Sequence, residues 1–387
     1  MIKLQKNALF LFSYFVVIHA IAKPINDDIL FVATYTANTS EGIYRLHFNK
    51  DNGKLYNPQL AAGISNPSWL ALNKRKSILY AVSENSPDSR DNIGRASSYQ
   101  LTDGGELSFL NRINTLGDEP THASISQDER YLFISNYAAE SPSGGSLSVA
   151  PIDPNGKLEA ITQISSHRAS QANKKRQLTP HVHSTVMTPD NHYVLACDLG
   201  ADKIYIYHYN PSKNSEHPLF SDSSDSVHFA PGTGPRHILF NKNGKNLYVT
   251  LEMSGQVATL DYKNGKLAIK QIVNLTDSTD PERKSASALH ISKDNRFLYV
   301  SNRGKSNEIN VFAINPENGT LKIIQRYSSE GKTPREFTLD PSNRYILVAN
   351  QDSNEIIVMQ RDQKTGKIVA TLQRFTIDRP TQLLFLE

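Results

Sequence analysis

"GPRHILFNKNGKNLYVTLE", residues Gly234–Glu252, is the stretch on which the fold turns. It opens with a Gly-Pro break and an Arg-His pair, alternates apolar and polar residues, and turns at Lys242-Asn243-Gly244-Lys245. It then rises through a β-rich run to a lone glutamate. Period-two alternation on both sides of a short polar turn is the pattern of a β-hairpin.

The hairpin recurs. "NPSWLALNKRKSILYAVSE" (Asn66–Glu84), "EPTHASISQDERYLFISNY" (Glu119–Tyr137), "SASALHISKDNRFLYVSNR" (Ser285–Arg303) and "TPREFTLDPSNRYILVANQ" (Thr333–Gln351) share its layout. "TPHVHSTVMTPDNHYVLACDL" (Thr179–Leu199) carries two extra residues near its start. The opening prolines are Pro67, Pro120, Pro180, Pro235 and Pro334, with Ala286 in the sixth copy. Tyr80, Phe133, Tyr248, Tyr299 and Leu347 follow at one constant spacing, and Leu195 two residues later in the longer copy. A second strand pair follows each hairpin, as in "GQVATLDY…GKLAIKQIVNL" from Gly255 and "NEIIVMQR…GKIVATLQRF" from Asn354. Four strands recurring about every 50 residues predict β-propeller blades. "RPTQLLFLE" (Arg379–Glu387) reads as a lone first strand, and "ILFVATYT" (Ile29–Thr36) as a second strand lacking a first. Together they predict a blade shared by the two termini, closing the ring and removing free edges. The expected architecture is all-β: a seven-bladed propeller of four-stranded antiparallel blades. The alternative of two stacked sandwiches leaves the recurring spacing unexplained.

Composition agrees with one globular body: 387 residues, 38% hydrophobic and 21% charged. The net charge is +4, of which Lys3 and Lys6 supply two units, and Lys174-Lys175-Arg176 is a short basic cluster. This short run reads as a solvated loop, and no nucleic-acid partner is expected. Lys3 and Lys6 precede the apolar run Ala8–Ala22, which ends in Ala20-Ile21-Ala22. That is the layout of a secretory signal peptide, and the run is shorter than the roughly 20 residues a span needs. The expected organisation is therefore a leader over 1–22 and one propeller over 23–387, in the periplasm or secreted, with no stable membrane insertion after cleavage. Cys197 is the single cysteine, so no internal disulfide forms, and its place in an apolar strand predicts a buried thiol.

In a blade the first strand lines the central channel and the second runs back beside it. The start of one and the end of the other meet at the same face of the disc, so Arg236 and Glu252 are predicted neighbours. Applied to every copy, this collects a ring of Arg, His, carboxylate and aromatic residues at one mouth. Its members include Tyr35, Trp69, His122, Glu84, Tyr137, His181, His183, Asp198, His237, Arg335 and Gln351.

With these residues in view, the chain resembles the seven-bladed propeller lactonase family, which includes propeller-type 6-phosphogluconolactonases and fungal carboxy-cis,cis-muconate cyclases. The motifs carrying the likeness are "PHVHSTVMTPDNHYVLACDLGADKIYIY", "GPRHILFNKNGKNLYVTLE", "SALHISKDNRFLYVSNRG" and "TPREFTLDPSNRYILVANQDSNEIIV". The resemblance implies a cleft at the mouth built from His183 or His181, Arg236, Glu252 and Arg303. One position departs: Ala288 stands where family members carry a carboxylate expected at the rim.

The expected activity is hydrolysis of a sugar-type lactone, the partner being a small-molecule lactone or carboxylate. The catalytic set is His183, Arg236, Glu252 and Arg303. His183 is the expected general base, with Glu252 orienting it or acting as the base itself, and the arginines holding an anion or polarising the carbonyl. His181, His122, Asp198, His237, Arg335 and Gln351 are expected to bind substrate. No cofactor and no metal is expected: His181 and His183 share a strand face, but no third ligand can be assigned by spacing. Two alternatives stand beside this: a muconate-type lactonising cyclase, and a non-catalytic exported propeller that binds a sugar or protein, which the Ala288 departure and the long loops Glu84–Arg95 and Asn136–Ser146 favour.

Overall fold

The structure, a computed structural model, describes residues 27–84, 93–138, 146–221 and 226–386. The expected leader lies outside these residues, as do most of the two long rim loops, at 85–92 and 139–145. Seven antiparallel sheets of four strands form the ring, and the sheet at Val182–Met187 carries one additional short strand, Ser226–His228. Blade 1 is the shared one. Its inner strand is Pro380–Leu386, which pairs antiparallel with Asp27–Thr34 from Ile29↔Leu386 to Thr34↔Pro380. The inner strands of blades 2 to 7 are Pro67–Leu72, Asp118–Ile125, Val182–Met187, Pro235–Phe240, Ala286–Ile291 and Pro334–Leu339. The six hairpins and the closing strand read from sequence are all present.

The strands follow from their patterns. Second strands such as Ile78–Ser83, Asn246–Leu251 and Tyr345–Asn350 are buried at every position, which accounts for their continuous apolar runs. Outer strands such as Lys266–Asn274 alternate exposed and half-buried residues because one face meets water. The hydrophobic core is a ring of seven clusters, one at each blade junction. Cys197 is fully buried in the junction of blades 4 and 5, and burial pushes its thiol up to about 12, so it stays protonated and inert.

Two polar devices stitch the blades. Around the channel, Ser68 donates to Pro120 O, Ser184 to Arg236 O, Ser287 to Arg335 O and Thr381 to Pro67 O, all within 2.7–2.8 Å. At the outer edge, a side-chain amide of one blade brackets the N–H and C=O of a single residue in the next. Asn111 grips Leu158, Gln163 grips Leu219, Gln271 grips Leu321 and Gln325 grips Ile368. Gln373 repeats the clamp at the closing junction, donating to Leu55 O at 2.9 Å and accepting from Leu55 N at 2.7 Å.

Each inner strand begins with a β-bulge. In blade 5, Pro235 pairs with Leu251 and Ile238 with Val249, so Arg236 and His237 together oppose Thr250. The same shift follows Pro67, Pro120, Val182, Ala286 and Pro334. A bulge bends the strand and re-aims the side chains beside it. Here it delivers the residues after each proline to the mouth and channel.

Replacing Gln373 with Ala strands a half-buried N–H and C=O of Leu55 at the junction that closes the ring. The expected loss is about 1–3 kcal/mol of unfolding free energy, read as a lower guanidinium midpoint.

Candidate active site

Gly234 sets up the site. Its φ of 66° is open to glycine at little steric cost, and its N–H donates to Asp202 Oδ1 at 2.9 Å. Gly234 O then accepts from Glu252 N at 2.7 Å, tying the end of the second strand to the start of the first. The bulge turns Arg236 inward, where it is only 1% exposed, with Nε 3.1 Å from Glu252 Oε2. That contact is ionic rather than an aligned hydrogen bond, because Nε lacks a hydrogen-bond partner. Arg303 Nη2 reaches the same oxygen at 2.8 Å, and Arg176 Nη2 reaches Glu252 Oε1 at 2.7 Å. Three guanidiniums thus surround one carboxylate. Burial would raise the Glu252 carboxyl, but Arg303, Arg236 and Arg176 together overcome it and hold the group well below the usual carboxylate range. Burial first, then the charge of Arg303, draws Arg236 down to about 9, still protonated at neutral pH.

A second ionic group faces the same cavity. Tyr35 O–H donates to Glu84 Oε2 at 2.6 Å, Arg335 Nη2 lies 3.3 Å from that oxygen, and the Arg335 guanidinium sits 5.2 Å from the centre of the Tyr35 ring. The cavity between the two groups has a volume of about 350 Å³. It lies at the mouth of the disc, and its wall includes Glu119, Thr121, Tyr137 and His183 beside the charged residues. His183 presents its ring edge to Tyr137 at 5.7 Å and to His237 at 5.2 Å, and its buried Nδ1 has no hydrogen-bond partner. Burial, reinforced by Arg236, holds His183 well below 6.5, so the imidazole is neutral.

Beneath lies an aromatic floor. Arg236 Nη1 donates to His237 Nε2 at 3.1 Å, and Trp69 packs on His122 at 4.3 Å and on His237 at 5.4 Å. Burial and then Arg236 draw His122 down to about 3 and hold His237 well below its ordinary value. Below this floor the channel widens to about 670 Å³ between apolar inner strands.

The expected residues separate by position. His183, Glu252, Arg303 and Arg335 line the mouth cavity, while Arg236 lies behind it against Glu252. His122 and His237 face the deeper channel instead. Asp198 is fully buried, one oxygen accepting from His181 N and Ala201 N, the other paired with His167 Nδ1 at 2.8 Å. His181 stacks on Tyr137 at 4.4 Å and donates through Nδ1 to Tyr137 O. Gln351 lies in a one-turn 3-10 helix, its amide bound to Asp352. Among the described residues, no three His, Cys, Asp or Glu side chains group as an ion site.

Two readings need correction. Arg176 is not simply part of a solvated loop: its guanidinium binds Glu252 and Tyr137. The segment that carries it has no counterpart in the repeat, and its one sequence signal is its place just before Pro180. Ala288 does not leave a gap at the rim. It is fully buried in the core between blades 6 and 7, with Phe337 and Tyr299.

The lactonase seven-bladed β-propeller model matches residues 29–385. The chain belongs to this family. A Bacillus subtilis 6-phosphogluconolactonase is 33% identical over 359 residues, covering 92% of this chain and 97% of its own. A 6-phosphogluconolactonase of Formosa agariphila is also 33% identical, over 92% of this chain and 98% of its own. A solved periplasmic gluconolactonase of Pseudomonas aeruginosa superposes with a TM-score of 0.89 at 39% identity, covering 93% of this chain and 99% of that one. In this lactonase propeller the motifs "GPRH" and "SNRG" therefore meet at one carboxylate, Glu252.

Glu252→Gln leaves Arg236 buried beside Arg303 without a counter-charge, an expected cost of about 3–5 kcal/mol. The sign with pH follows. The folded carboxyl lies below its unfolded value of about 4.3, so its stabilisation is complete above about pH 5 and drains away as pH falls. Urea melts from pH 7 to pH 3 check this: the wild type loses the increment on acidification, whereas the glutamine variant starts without it.

Proposed function

We propose that this lactonase is exported and opens an unphosphorylated sugar-type lactone to its hydroxy acid, with His183 as general base. The observation that carries the reading is the unpartnered, buried Nδ1 of neutral His183 on the wall of a cavity bounded by guanidiniums. A lactone carbonyl directed at Arg303 and Arg335 is polarised by fixed positive charge. His183 takes a proton from water as the water oxygen attacks the carbonyl carbon, and the charge that develops on the carbonyl oxygen rests against the arginines. Collapse breaks the ring C–O bond, the departing ring oxygen takes the proton back from imidazolium, and the new acid ionises to solvent. Glu252 is not the base in this scheme. Clamped by three guanidiniums, its charge holds Arg303 in place and keeps Arg236 beneath the cavity.

The charge of the cavity supports a neutral substrate. Glu84, Glu119 and Glu252 face Arg176, Arg303 and Arg335, with Arg236 behind Glu252, so the wall offers paired charges rather than an open cluster of cations. Carboxylates accept from the hydroxyls of a polyol and guanidiniums donate to them, whereas a phosphate would favour an excess of cations. A volume of about 350 Å³ suits a monosaccharide-sized ring. Export is supported by the charged, apolar and small-residue order of residues 3–22 and by the periplasmic description of the Pseudomonas relative.

His183→Asn is expected to lower kcat on glucono-δ-lactone by about 10²–10⁴ with a smaller change in KM. The base is the neutral imidazole, and its folded value is lowered, so wild-type kcat stays level from about pH 8 down through pH 6. An unperturbed imidazole would lose about half its base form near pH 6.5. Stopped-flow pH-release traces test both points; wild-type kinetics in the asparagine variant would exclude His183 as the base. The same assay is expected to give a higher kcat/KM for the neutral lactone than for its 6-phosphate. For export, the expected outcome is a mature N-terminus at Lys23, checked by N-terminal sequencing of the protein recovered outside the cytoplasm.

A further inference from the structure

Glu252, a single negative charge, is met by three guanidiniums, two more than its neutralisation requires. Arg236 and Arg303 come from bulge and strand end, are 1% and 13% exposed, and share Oε2. Arg176 comes from the strap between the strands Gln163–Ser165 and Val182–Met187, is 44% exposed, and holds Oε1 alone. Arg176 is the most exposed of the three and also donates to the Tyr137 hydroxyl at 3.0 Å. When it leaves Glu252 the carboxylate stays neutralised by the other two, and Oε1 takes a hydrogen bond from water or substrate in its place.

The strap itself is anchored. At one foot, His167 is gripped by Asp198 at 2.8 Å and by Tyr207 at 2.6 Å. Ser170 binds Asp202 at 2.9 Å, and its N–H donates to Gly200 O at 2.8 Å. At the other, buried Gln177 donates to Leu199 O at 2.8 Å and its N–H to Asn173 O at 2.8 Å. Fixed feet with a long, partly exposed side chain hold the Arg176 guanidinium at the lip of the cavity.

We infer that Arg176 is a specificity-determining residue that passes from Glu252 to the carboxylate of the ring-opened hydroxy acid. The inference rests on the sugar-lactone reading of the same cavity. Hydrolysis turns a neutral ester into an anion, so the cavity must accommodate one negative charge more after the reaction than before. Arg176 is the arginine whose present partner is already satisfied without it. Its planar fork can grip the new carboxylate through two N–H groups. Lactones that already carry a carboxylate would be held by the same contact.

Equilibrium binding tests this without turnover. Gluconate is the anionic probe and glucitol the neutral polyol control, titrated by calorimetry into the wild type, Arg176→Ala and Arg176→Lys at two salt concentrations. Gluconate affinity is expected to fall at least about tenfold in the alanine variant, the loss of one charge-assisted pair. The lysine variant should recover part of it with a steeper salt dependence, and glucitol should shift by less than about twofold. Equal gluconate affinity in wild type and Arg176→Ala overturns the inference, as does an equal loss for gluconate and glucitol, or no gluconate binding by the wild type. The lysine variant carries the test if the alanine variant does not fold. Gluconate binding that depends on Arg176 in a protein that turns over no lactone would sink the hydrolysis reading and leave this one standing.

Discussion

Seven blades form a ring only if the last strand of the chain pairs with the first, and the site depends on that closure. Pro380–Leu386 completes the sheet begun at Asp27, and the apolar cluster of Leu30, Leu347 and Leu383 seals the junction between blades 7 and 1. The consequence is geometric. Each inner strand starts at one rim, so residues far apart in sequence face one small volume. Glu84 and Arg335, separated by 251 positions, meet across it. Opening the junction would expose two strand edges and also separate Tyr35 and Glu84 in the first blades from Arg335 in the last.

Closure brings charges out of water, and their pairing then sets the chemistry. A buried carboxylate is costly unless it is met by donors. At Glu252 this is met with guanidiniums from blade 5, from blade 6 and from the strap ahead of blade 4, and with burial the positive field keeps the neighbouring imidazoles neutral. Arg236 contributes to lowering His122, His183 and His237 alike. The arrangement thus separates two roles that the residue types alone leave open. The carboxylate is too well paired to accept a proton, whereas the histidine beside it is kept free of one. Arg236 contributes to both states, beside Arg303 at Glu252 and behind burial at His183.

The repeat made the fold legible, because the period-two alternation within the hairpins and the nearly constant spacing after the opening prolines are local signals that recur along the chain. It also made the contact of Arg236 with Glu252 legible, since a hairpin of known length brings its ends together. The limits were equally physical. Which face a residue adopts just after the proline depends on a bulge, and a bulge moves a side chain from rim to channel without altering the residue pattern. His122 and His237 stand one residue beyond the motif position of the mouth residues Thr121 and Arg335, and there line the deeper channel with Trp69 and Gln382, while Ala288 is enclosed by core. Asp198 carries a carboxylate at the right rim but uses it on His167 and the backbone of His181, partners set by tertiary folding. Arg176 lies on a segment outside the repeat, so periodicity is silent about it.

Stabilising an oxyanion and releasing an anionic product make opposed demands on one positive field. In the scheme we propose, the transition state of lactone opening and the carboxylate it yields both place negative charge near Arg303 and Arg335, so rigid cations that favour the first also retain the second. Pairing each fixed arginine with a glutamate moderates that retention: Glu252 is shared by Arg236 and Arg303, and Glu84 engages Arg335. The field felt by a neutral lactone is then moderated by these pairs, able to orient a carbonyl with less general attraction for anions. What distinguishes product from substrate is left to a side chain at the lip, where solvent screens it and exchange is fast. On this reading the excess guanidinium at Glu252 is the movable part of an otherwise pre-organised site, and its exposure is what allows the anion to leave.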